Sequence, residues 1–200
     1  MAEVRTEQGK LYMFVAIDRT SKFAFVELHE NCRTATSRDF LLRLIEAVPY
    51  KIHTMLTDNP VLSFAEGGIQ FTTPGGSGSA VPLIREAMAN GERFRAHAFE
   101  YAYARNDIDH RTTKPRHPWT NGQVERMNRT IKEATVKRFY YETHDQLREH
   151  LANFVAAYNF AKRLKTLKGL TTYEYICKCW TNEPQRFKSN PHHQTPGPNT

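Results

Sequence analysis

Residues 11–28 read LYMFVAIDRTSKFAFVEL, in which a polar turn at residues 19–22 separates two nearly continuous apolar runs. Runs of this length and composition, bounded by turn residues, predict strands at residues 11–18 and 23–28. Residues 4–6 read as the end of an earlier strand, which a short turn joins to the first run. The chain is therefore expected to open with an antiparallel meander of three strands.

A helix and a fourth strand follow the meander. Ser37 is placed to cap the helix and Pro49 to end it. The apolar face of this helix comprises Phe40, Leu41, Leu44, Ile45 and Val48. Residues 51–57 then read KIHTMLT, which predicts a short strand. Asp58 lies at its C-terminal tip, because Pro60 cannot donate to a sheet and restricts the residue before it.

The rest of the chain contains loops, helices and one more strand. Glycine and serine mark residues 61–80 as a loop, helical spacing resumes at Val81, and residues 108–112 read as the last strand. Capping-box spacing and apolar periodicity predict helices at residues 120–141 and 144–163. This order predicts the α/β class, with a mixed sheet of about five strands and helices on both faces.

Length and composition fit one domain. The chain has 200 residues, of which 40% are hydrophobic, and the patterned segments lie within residues 1–180. Residues 181–200 are polar, contain four prolines, and are expected to be a disordered tail. Three cysteines, an odd number, argue against a disulfide framework. Without a membrane-length apolar run or a signal-peptide pattern, the sequence predicts a cytoplasmic protein with no role for membranes.

Positive charge is concentrated in one part of the sequence. The formal net charge is +7, the pI is near 9.4, and residues 105–138 contain nine Lys or Arg against four acidic residues. Such a basic segment is typical of proteins that bind a nucleic-acid backbone. Within it, Arg116 is a candidate phosphate contact. Trp119 is a candidate for stacking on a base or, alternatively, an anchor of its own loop.

Two carboxylates lie at positions that suit metal binding. Asp58 ends the fourth strand, where ligands bind in open α/β sheets, and Glu125 lies in the helix that follows the basic loop. Together they could hold a divalent cation, for which carboxylate oxygens are preferred ligands. Taken singly, Asp58 also fits a turn residue bonded to its own backbone, and Glu125 a surface partner of Arg129.

One face of that predicted helix carries a carboxylate and two cations. Asn128, Arg129 and Lys132 lie three, four and seven residues after Glu125 and therefore share its face. The face suits a metal-bound phosphodiester, with Glu125 on the metal and Arg129 and Lys132 on flanking phosphates. A solvated helix face with ordinary ion pairs is the alternative that the spacing leaves open.

Four segments resemble the catalytic core of bacterial insertion-sequence transposases, which have an integrase-type, ribonuclease-H-like fold. They read LYMFVAIDRTSKFAFVEL, IHTMLTDN, TTKPRHPWTNGQVERMNRTIKEATVKRF and LANFVAAYNFAKRLKTLKGLTTYEYI, and the similarity extends over residues 3–180. The string HPWTNGQVERMNRTIKE is far more specific than a short motif. The resemblance implies an integrase-type catalytic core for residues 1–180.

The resemblance also implies a reaction and its participants. Such cores hold two Mg²⁺ or Mn²⁺ ions between two Asp and one Glu, cut transposon ends and join them to double-stranded target DNA. Asp58 of LTDN matches the second Asp, and Glu125 of NGQVERMNRT matches the Glu. Arg129 and Lys132 match helix positions that contact DNA, with Asn128 on the same face. The active form is expected to be a homo-oligomer associated with the nucleoid.

The first Asp of the triad is where the sequence departs from the family pattern. The family places it just before residues 2–4, about where this chain begins, whereas Asp18 matches a second-strand position. Glu3 is a poor substitute, since strand alternation turns it to the other face. We therefore expect an N-terminally truncated core with two of three metal ligands and impaired activity. A second departure is the segment inserted after Asn59.

Two other interpretations stay open at this point. A non-catalytic DNA-binding remnant, or a partner of a full-length transposase, would keep the basic segment and the fold without the chemistry. A host ribonuclease H would share the fold and the metals. The HPWTNGQVERMNRT string, however, favours the transposase family.

Overall fold

The computed structural model describes residues 2–57, 81–92, 98–112 and 122–193. Its regular elements, in chain order, are β1 (Ala2–Thr6), β2 (Gly9–Ile17), β3 (Ala24–His29), α1 (Thr34–Ala47), β4 (Thr54–Thr57), α2 (Val81–Ala89), α3 (Ala98–Arg105), β5 (Asp109–Thr112), α4 (Gly122–Ala134), α5 (His144–Phe160) and α6 (Thr172–Asn182). This mixture confirms the α/β class. No helix in these four ranges has the length and apolar content needed to cross a membrane.

The first three strands form the antiparallel meander that the sequence predicts. Their order is β1-β2-β3, with Val4 opposite Leu11 and Val15 opposite Val26. Leu11 is fully buried, as expected for the near-continuous apolar run of β2. The apolar runs and the polar turns between them therefore define both the strands and their pairing.

Helices α4 and α5 pack on this sheet through one apolar cluster. Met13 and Ala24 of the sheet meet Met127 and Ile131 of α4 and Leu151 of α5. Met127 and Ile131 are four residues apart and so form a stripe along one side of α4. Burial of that stripe turns the charged side of α4 away from the core.

The remaining strands, β4 and β5, pair in parallel. An apolar cluster beside them contains Leu41 of α1, Ile84 of α2 and Tyr103 of α3. The chain divides into two compact units, one with the meander and α4 to α6, the other with β4, β5, α2 and α3. Within the described residues the five strands thus form two hydrogen-bonded groups, where the sequence predicts one mixed sheet.

Two helix ends differ from the sequence-based prediction. Ser37 does not cap α1, which begins at Thr34; the Arg33 carbonyl accepts the first helical bond from the Ser37 N–H at 3.1 Å. Helix α4 ends at Ala134 and not near residue 141. The Thr135 N–H still donates to the Ile131 carbonyl at 2.9 Å, but the Lys137 N–H donates to the Lys132 carbonyl five residues back, so the α-helical bonding pattern ends here.

Residues 181–193 have defined structure, although the sequence predicts a disordered tail from Thr181 onward. The Lys188 N–H donates to the Pro49 carbonyl at 2.8 Å, and Phe187 forms a β-bridge with Tyr50. These partners lie more than a hundred residues earlier in the chain, and composition alone gives no sign of them. Backbone pairing of this kind orders a polar, proline-containing segment that buries little apolar surface.

A buried asparagine joins α5 to β3. Asn159 is 3% exposed, and its Nδ2 donates to the Ala24 carbonyl at 2.8 Å while its Oδ1 accepts from the Ala24 N–H at 2.9 Å. The Thr172 hydroxyl donates to the Asn159 carbonyl at 2.8 Å, which links the start of α6 to the same point. The buried amide therefore has both a donor and an acceptor partner.

Candidate nucleic-acid interface

Helix α4 presents its charged side to the solvent. Met127 and Ile131 are buried, whereas Glu125 and Arg129 are exposed and Lys132 is half-buried. The positions of these three charged residues, at i, i+4 and i+7, lie on one side of the helix. α4 therefore brings one carboxylate and two cations to a single surface, which we call the α4 charged face.

The Glu125 carboxylate is not engaged by the residues that the structure describes. Among the described residues, no ion pair or hydrogen bond joins it to Arg129 or to another side chain. An exposed pair at i,i+4 would stabilise the helix by only about 0.2–0.5 kcal/mol, so little is lost by leaving it unformed. A carboxylate in this state is available to a cation from outside the chain.

Asn128 borders the same face. Its Oδ1 is buried and, within the part of the chain that the structure describes, accepts no hydrogen bond. A buried acceptor without a donor costs about 1–3 kcal/mol, so a water molecule or a ligand amino group gains a hydrogen bond by reaching it. This property suits a residue at a binding surface.

The Asp18 carboxylate is engaged by its own turn. Oδ1 accepts from the Thr20 N–H at 2.9 Å, and Oδ2 accepts from the Ser21 N–H at 3.2 Å and the Ser21 hydroxyl at 2.5 Å. The Tyr50 hydroxyl donates to Oδ2 at 3.0 Å. Burial, reinforced by the Asp18 charge, raises the pKa of Tyr50, so that it stays a neutral donor. These contacts give Asp18 a structural role.

The same turn contacts the start of α4. Lys22 has a left-handed backbone (φ 64°), and its Nζ donates to the Arg19 carbonyl and, at 3.4 Å, to Gln123 Oε1. Gln123 lies in the first turn of α4, two residues before Glu125. Sequence reasoning missed this additional cation beside α4, because its partner lies far along the chain and no local pattern marks the contact.

Three of the predicted site residues, Asp58, Arg116 and Trp119, lie outside the described residues. The pairing of Asp58 with Glu125 therefore stays a prediction. The structure does place Thr57, the residue before Asp58, at the C-terminal end of β4. No group of three His, Cys, Asp or Glu gathers in the described ranges. The predicted donors, two carboxylates, are of the type that Mg²⁺ and Mn²⁺ prefer.

Comparison with known proteins gives a family match for part of the chain and a structural likeness for most of it. Residues 106–171 match the family model described as an integrase core domain. None of the curated proteins matches the sequence. The matched residues include α4 and its charged face.

The structural neighbours are retroviral. A chain of the simian T-cell lymphotropic virus intasome in complex with PP2A regulatory subunit B56 gamma has a TM-score of 0.60 at 17% identity, over 99% of this chain and 54% of that chain. The catalytic core domain of BIV integrase has a TM-score of 0.59 at 17% identity, over 92% of this chain and 96% of that chain. The HTLV-2 integrase catalytic core domain in complex with magnesium, in a dimeric form, has a TM-score of 0.58 at 16% identity, over 87% of this chain and 90% of that chain.

These structures establish a likeness of fold, and this chain spans about half the length of the intasome chain. The likeness to BIV integrase covers nearly the whole of both chains. The family match adds a sequence relationship in the segment that contains Glu125. The chain thus has the ribonuclease-H-like fold of integrase catalytic cores, and its residues 106–171 match the integrase core domain family.

Proposed function

We propose that this protein is the catalytic core of an integrase-type transposase, which cuts transposon ends and joins them to target DNA. A general role in DNA integration or transposition rests on the family match and the fold. The observation that carries the finer proposal is the α4 charged face. It presents Glu125, to which none of the described side chains bonds, beside Arg129 and Lys132 inside the segment that matches the integrase core domain.

Glu125 and Asp58 are the residues that would hold Mg²⁺ or Mn²⁺. When bound, the metal ions activate the attacking water or 3′-hydroxyl and stabilise the leaving oxygen in an in-line displacement at phosphorus. The carboxylates supply the hard oxygen donors that these ions prefer. The HTLV-2 integrase catalytic core domain is in complex with magnesium, which supports the choice of a divalent metal but not of its ligands.

Arg129 and Lys132 would bind the DNA backbone on either side of the reacting phosphate. A guanidinium can donate two parallel hydrogen bonds to one phosphate, whereas an ammonium acts as a point charge. Asn128 lies on the same side of α4 and would contact DNA beside them. Arg116 and Trp119 would add a phosphate contact and a stacking surface. We propose double-stranded DNA as the partner and a homo-oligomer at the nucleoid as the active form.

A second candidate function is DNA binding without strand transfer, alone or as a partner of a complete transposase. The resemblance implies three metal-binding carboxylates, and the 200 residues supply matches for two of them. Asp18, the nearest acidic residue in β2 and its turn, is engaged by Thr20, Ser21 and Tyr50. If the functional protein has only these two carboxylates, its site binds metal less firmly and its activity is impaired.

A strand-transfer assay separates these functions. The 200-residue chain and a version with one Asp added just before Ala2 are incubated with Mn²⁺ and labelled transposon-end duplex. Joined products from either version support the catalytic proposal, and a large gain from the added Asp supports impairment of the shorter chain. Salt-sensitive binding without joined products in both versions supports the binding function. A protein that neither joins nor binds DNA at low salt contradicts both.

A further inference from the structure

The loop between α5 and α6 concentrates positive charge. Residues 150–173 contain no Asp or Glu, and all of their Lys and Arg residues lie in residues 162–168. We call this segment the α5–α6 basic loop. Its four cations, all exposed, are Lys162, Arg163, Lys165 and Lys168. The loop is separate from the basic segment at residues 105–138, so it forms a second concentration of positive charge in the chain.

Backbone hydrogen bonds close this loop on itself. The Leu164 N–H donates to the Leu170 carbonyl at 3.0 Å, and the Gly169 N–H donates to the Leu164 carbonyl at 3.0 Å. Between them, Leu167 is 5% exposed and anchors the loop in the protein. A closed loop with a buried anchor displays its cations from a fixed backbone. Less conformational entropy is therefore lost when these cations bind a ligand.

Two of the four cations have contacts within the chain. Lys162 Nζ lies 5.4 Å from the centroid of the Tyr158 ring. Arg163 Nη1 donates to the Gly169 carbonyl at 2.9 Å and pairs with Glu174 at 3.5 Å. Both cations lie just after α5, where positive charge also stabilises the C-terminal end of the helix. The fold itself therefore accounts for Lys162 and Arg163.

The fold does not account for Lys165 and Lys168 in this way. They lie five and eight residues after Phe160, beyond the last turn of α5, in which the helix dipole acts. No carboxylate of the described residues pairs with either ammonium group. Lys168 also has a left-handed backbone (φ 57°), which glycine and asparagine adopt at lower cost. Two cations are thus available to an anion from outside the chain.

The α5–α6 basic loop lies at the same end of the meander as the start of α4. Asn159, near the end of α5, bonds to Ala24 at the start of β3. Lys22, two residues before Ala24, contacts Gln123 in the first turn of α4 at 3.4 Å. The last turn of α5 and the first turn of α4 therefore meet the same short segment of the meander. The basic loop begins close to where the α4 charged face begins.

We propose that the α5–α6 basic loop is a second contact for the DNA backbone, in which Lys165 and Lys168 bind phosphates of the duplex that the α4 charged face also binds. The inference rests on the proposed function, because it takes double-stranded DNA as the ligand. The loop lies within residues 106–171, the segment that matches the integrase core domain. Phosphate contacts position a duplex without reading its sequence, so the loop contributes equally to the binding of different sequences.

Paired substitutions in the whole chain test this contact. Lys165→Gln/Lys168→Gln removes both charges, and Lys165→Arg/Lys168→Arg keeps them. The control is Arg5→Gln/Lys10→Gln, which removes two charges from β1 and β2. Arg5 and Lys10 are opposite each other next to the β1–β2 turn, at the other end of the meander from Ala24.

Fluorescence anisotropy with two labelled duplexes of unrelated sequence, at several salt concentrations, measures affinity and its salt dependence. Lys165→Gln/Lys168→Gln should raise the dissociation constant about tenfold for both duplexes and reduce the salt-dependence slope by about two. The arginine pair and the control pair should each stay within about twofold of the unaltered chain. The contact is refuted if the glutamine pair in the loop also stays within that range, or if the control pair weakens binding equally.

Two further results locate the cause of a failure. The number of duplexes bound per chain at saturation should be the same with and without the loop charges; a smaller number without them would assign the loop to a separate duplex and overturn the shared one. If Arg129→Gln/Lys132→Gln weakens binding and the loop pair does not, only the role of the loop is refuted. If the unaltered chain binds no duplex at low salt, DNA binding in the proposed function fails together with this inference.

Discussion

The turn between β2 and β3 and the first turn of α4 each carry one acidic residue, and the two residues are in opposite states. Asp18 accepts four hydrogen bonds from its turn and from Tyr50. Glu125 accepts none from the described residues and is exposed. A carboxylate whose lone pairs are occupied by the protein stabilises the fold, whereas an unoccupied one is free to bind a ligand. The number of internal donors, and not the residue type, separates the two roles.

The largest expected effect comes from removing the free carboxylate. Glu125→Gln should lower the rate of DNA joining about 1,000-fold, equivalent to about 4 kcal/mol of transition-state stabilisation. Its free energy of unfolding should change by less than about 0.5 kcal/mol, because the side chain is exposed and none of the described residues bonds to its carboxylate. Single-turnover joining and urea unfolding measure the two effects. Glu133→Gln makes the same change at another exposed position of α4, and an equal loss of joining there would contradict the assignment.

Removing the Asp18 carboxylate should lower the stability of the fold, which removal of the Glu125 carboxylate leaves nearly unchanged. Asp18→Ala leaves the buried Ser21 and the Tyr50 hydroxyl without their acceptor, and should lower the free energy of unfolding by about 3 kcal/mol. Asp18→Asn keeps one acceptor oxygen and should cost about 1 kcal/mol. Urea unfolding at neutral pH measures both. A loss below about 0.5 kcal/mol in Asp18→Ala would show that the four hydrogen bonds do not stabilise the fold.

His110 is a titratable base that the fold engages, and its burial makes stability depend on pH. Burial lowers the pKa of His110, partly offset by Asp109. The unfolded chain takes up a proton near the ordinary pKa of about 6.5, while the folded chain resists it. The contribution of neutral His110 to the free energy of unfolding is therefore fully present above about pH 6.5. It is lost as the pH falls toward the lowered pKa, with a slope of at most about 1.4 kcal/mol per pH unit. Urea unfolding between about pH 7 and 5 should show a shallower slope for His110→Phe, and an identical slope would contradict the prediction.

The smallest effect is expected from the two cations of the α4 charged face. Arg129→Gln and Lys132→Gln should each weaken duplex DNA binding about three- to fivefold and reduce the salt-dependence slope by about one. Fluorescence anisotropy at several salt concentrations measures both quantities. Lys10→Gln is the matched control, since Lys10 is paired with Glu3 on the meander. If all three variants weaken binding equally, net charge and not the face determines affinity.

The fold could be predicted from the sequence where local pattern and tertiary structure agree. The runs around residues 19–22 predict the meander, because each strand is apolar along its length and each turn is polar. The arrangement of Glu125, Arg129 and Lys132 on α4 follows from helical spacing in the same way. The end of α4 could not be predicted, because helical spacing continues past Thr135 while the Lys137 N–H bonds to the Lys132 carbonyl, out of the α-helical pattern.

Contacts between distant residues account for most of what sequence reasoning missed. Lys22 and Gln123 are 101 residues apart, and His110 and Thr57 are 53 apart. Polar pairs of this kind have no periodic signature, since each involves a single side chain. The order of residues 181–193 likewise depends on backbone bonds to Pro49. Hydrophobic periodicity reports burial along one element, and it carries no information about which element a polar group will meet.

The paired bonds of Asn159 have a consequence for the edge of the meander. β3 is the outer strand of the meander, and an outer strand offers free backbone groups to other chains. The Asn159 side-chain amide bonds to both the N–H and the carbonyl of Ala24, as the backbone of a neighbouring strand would. Aspartate would lose the donor, and a longer side chain would not fit the same two atoms. One side chain therefore both docks α5 and occupies the backbone groups that Ala24 would otherwise offer to another strand.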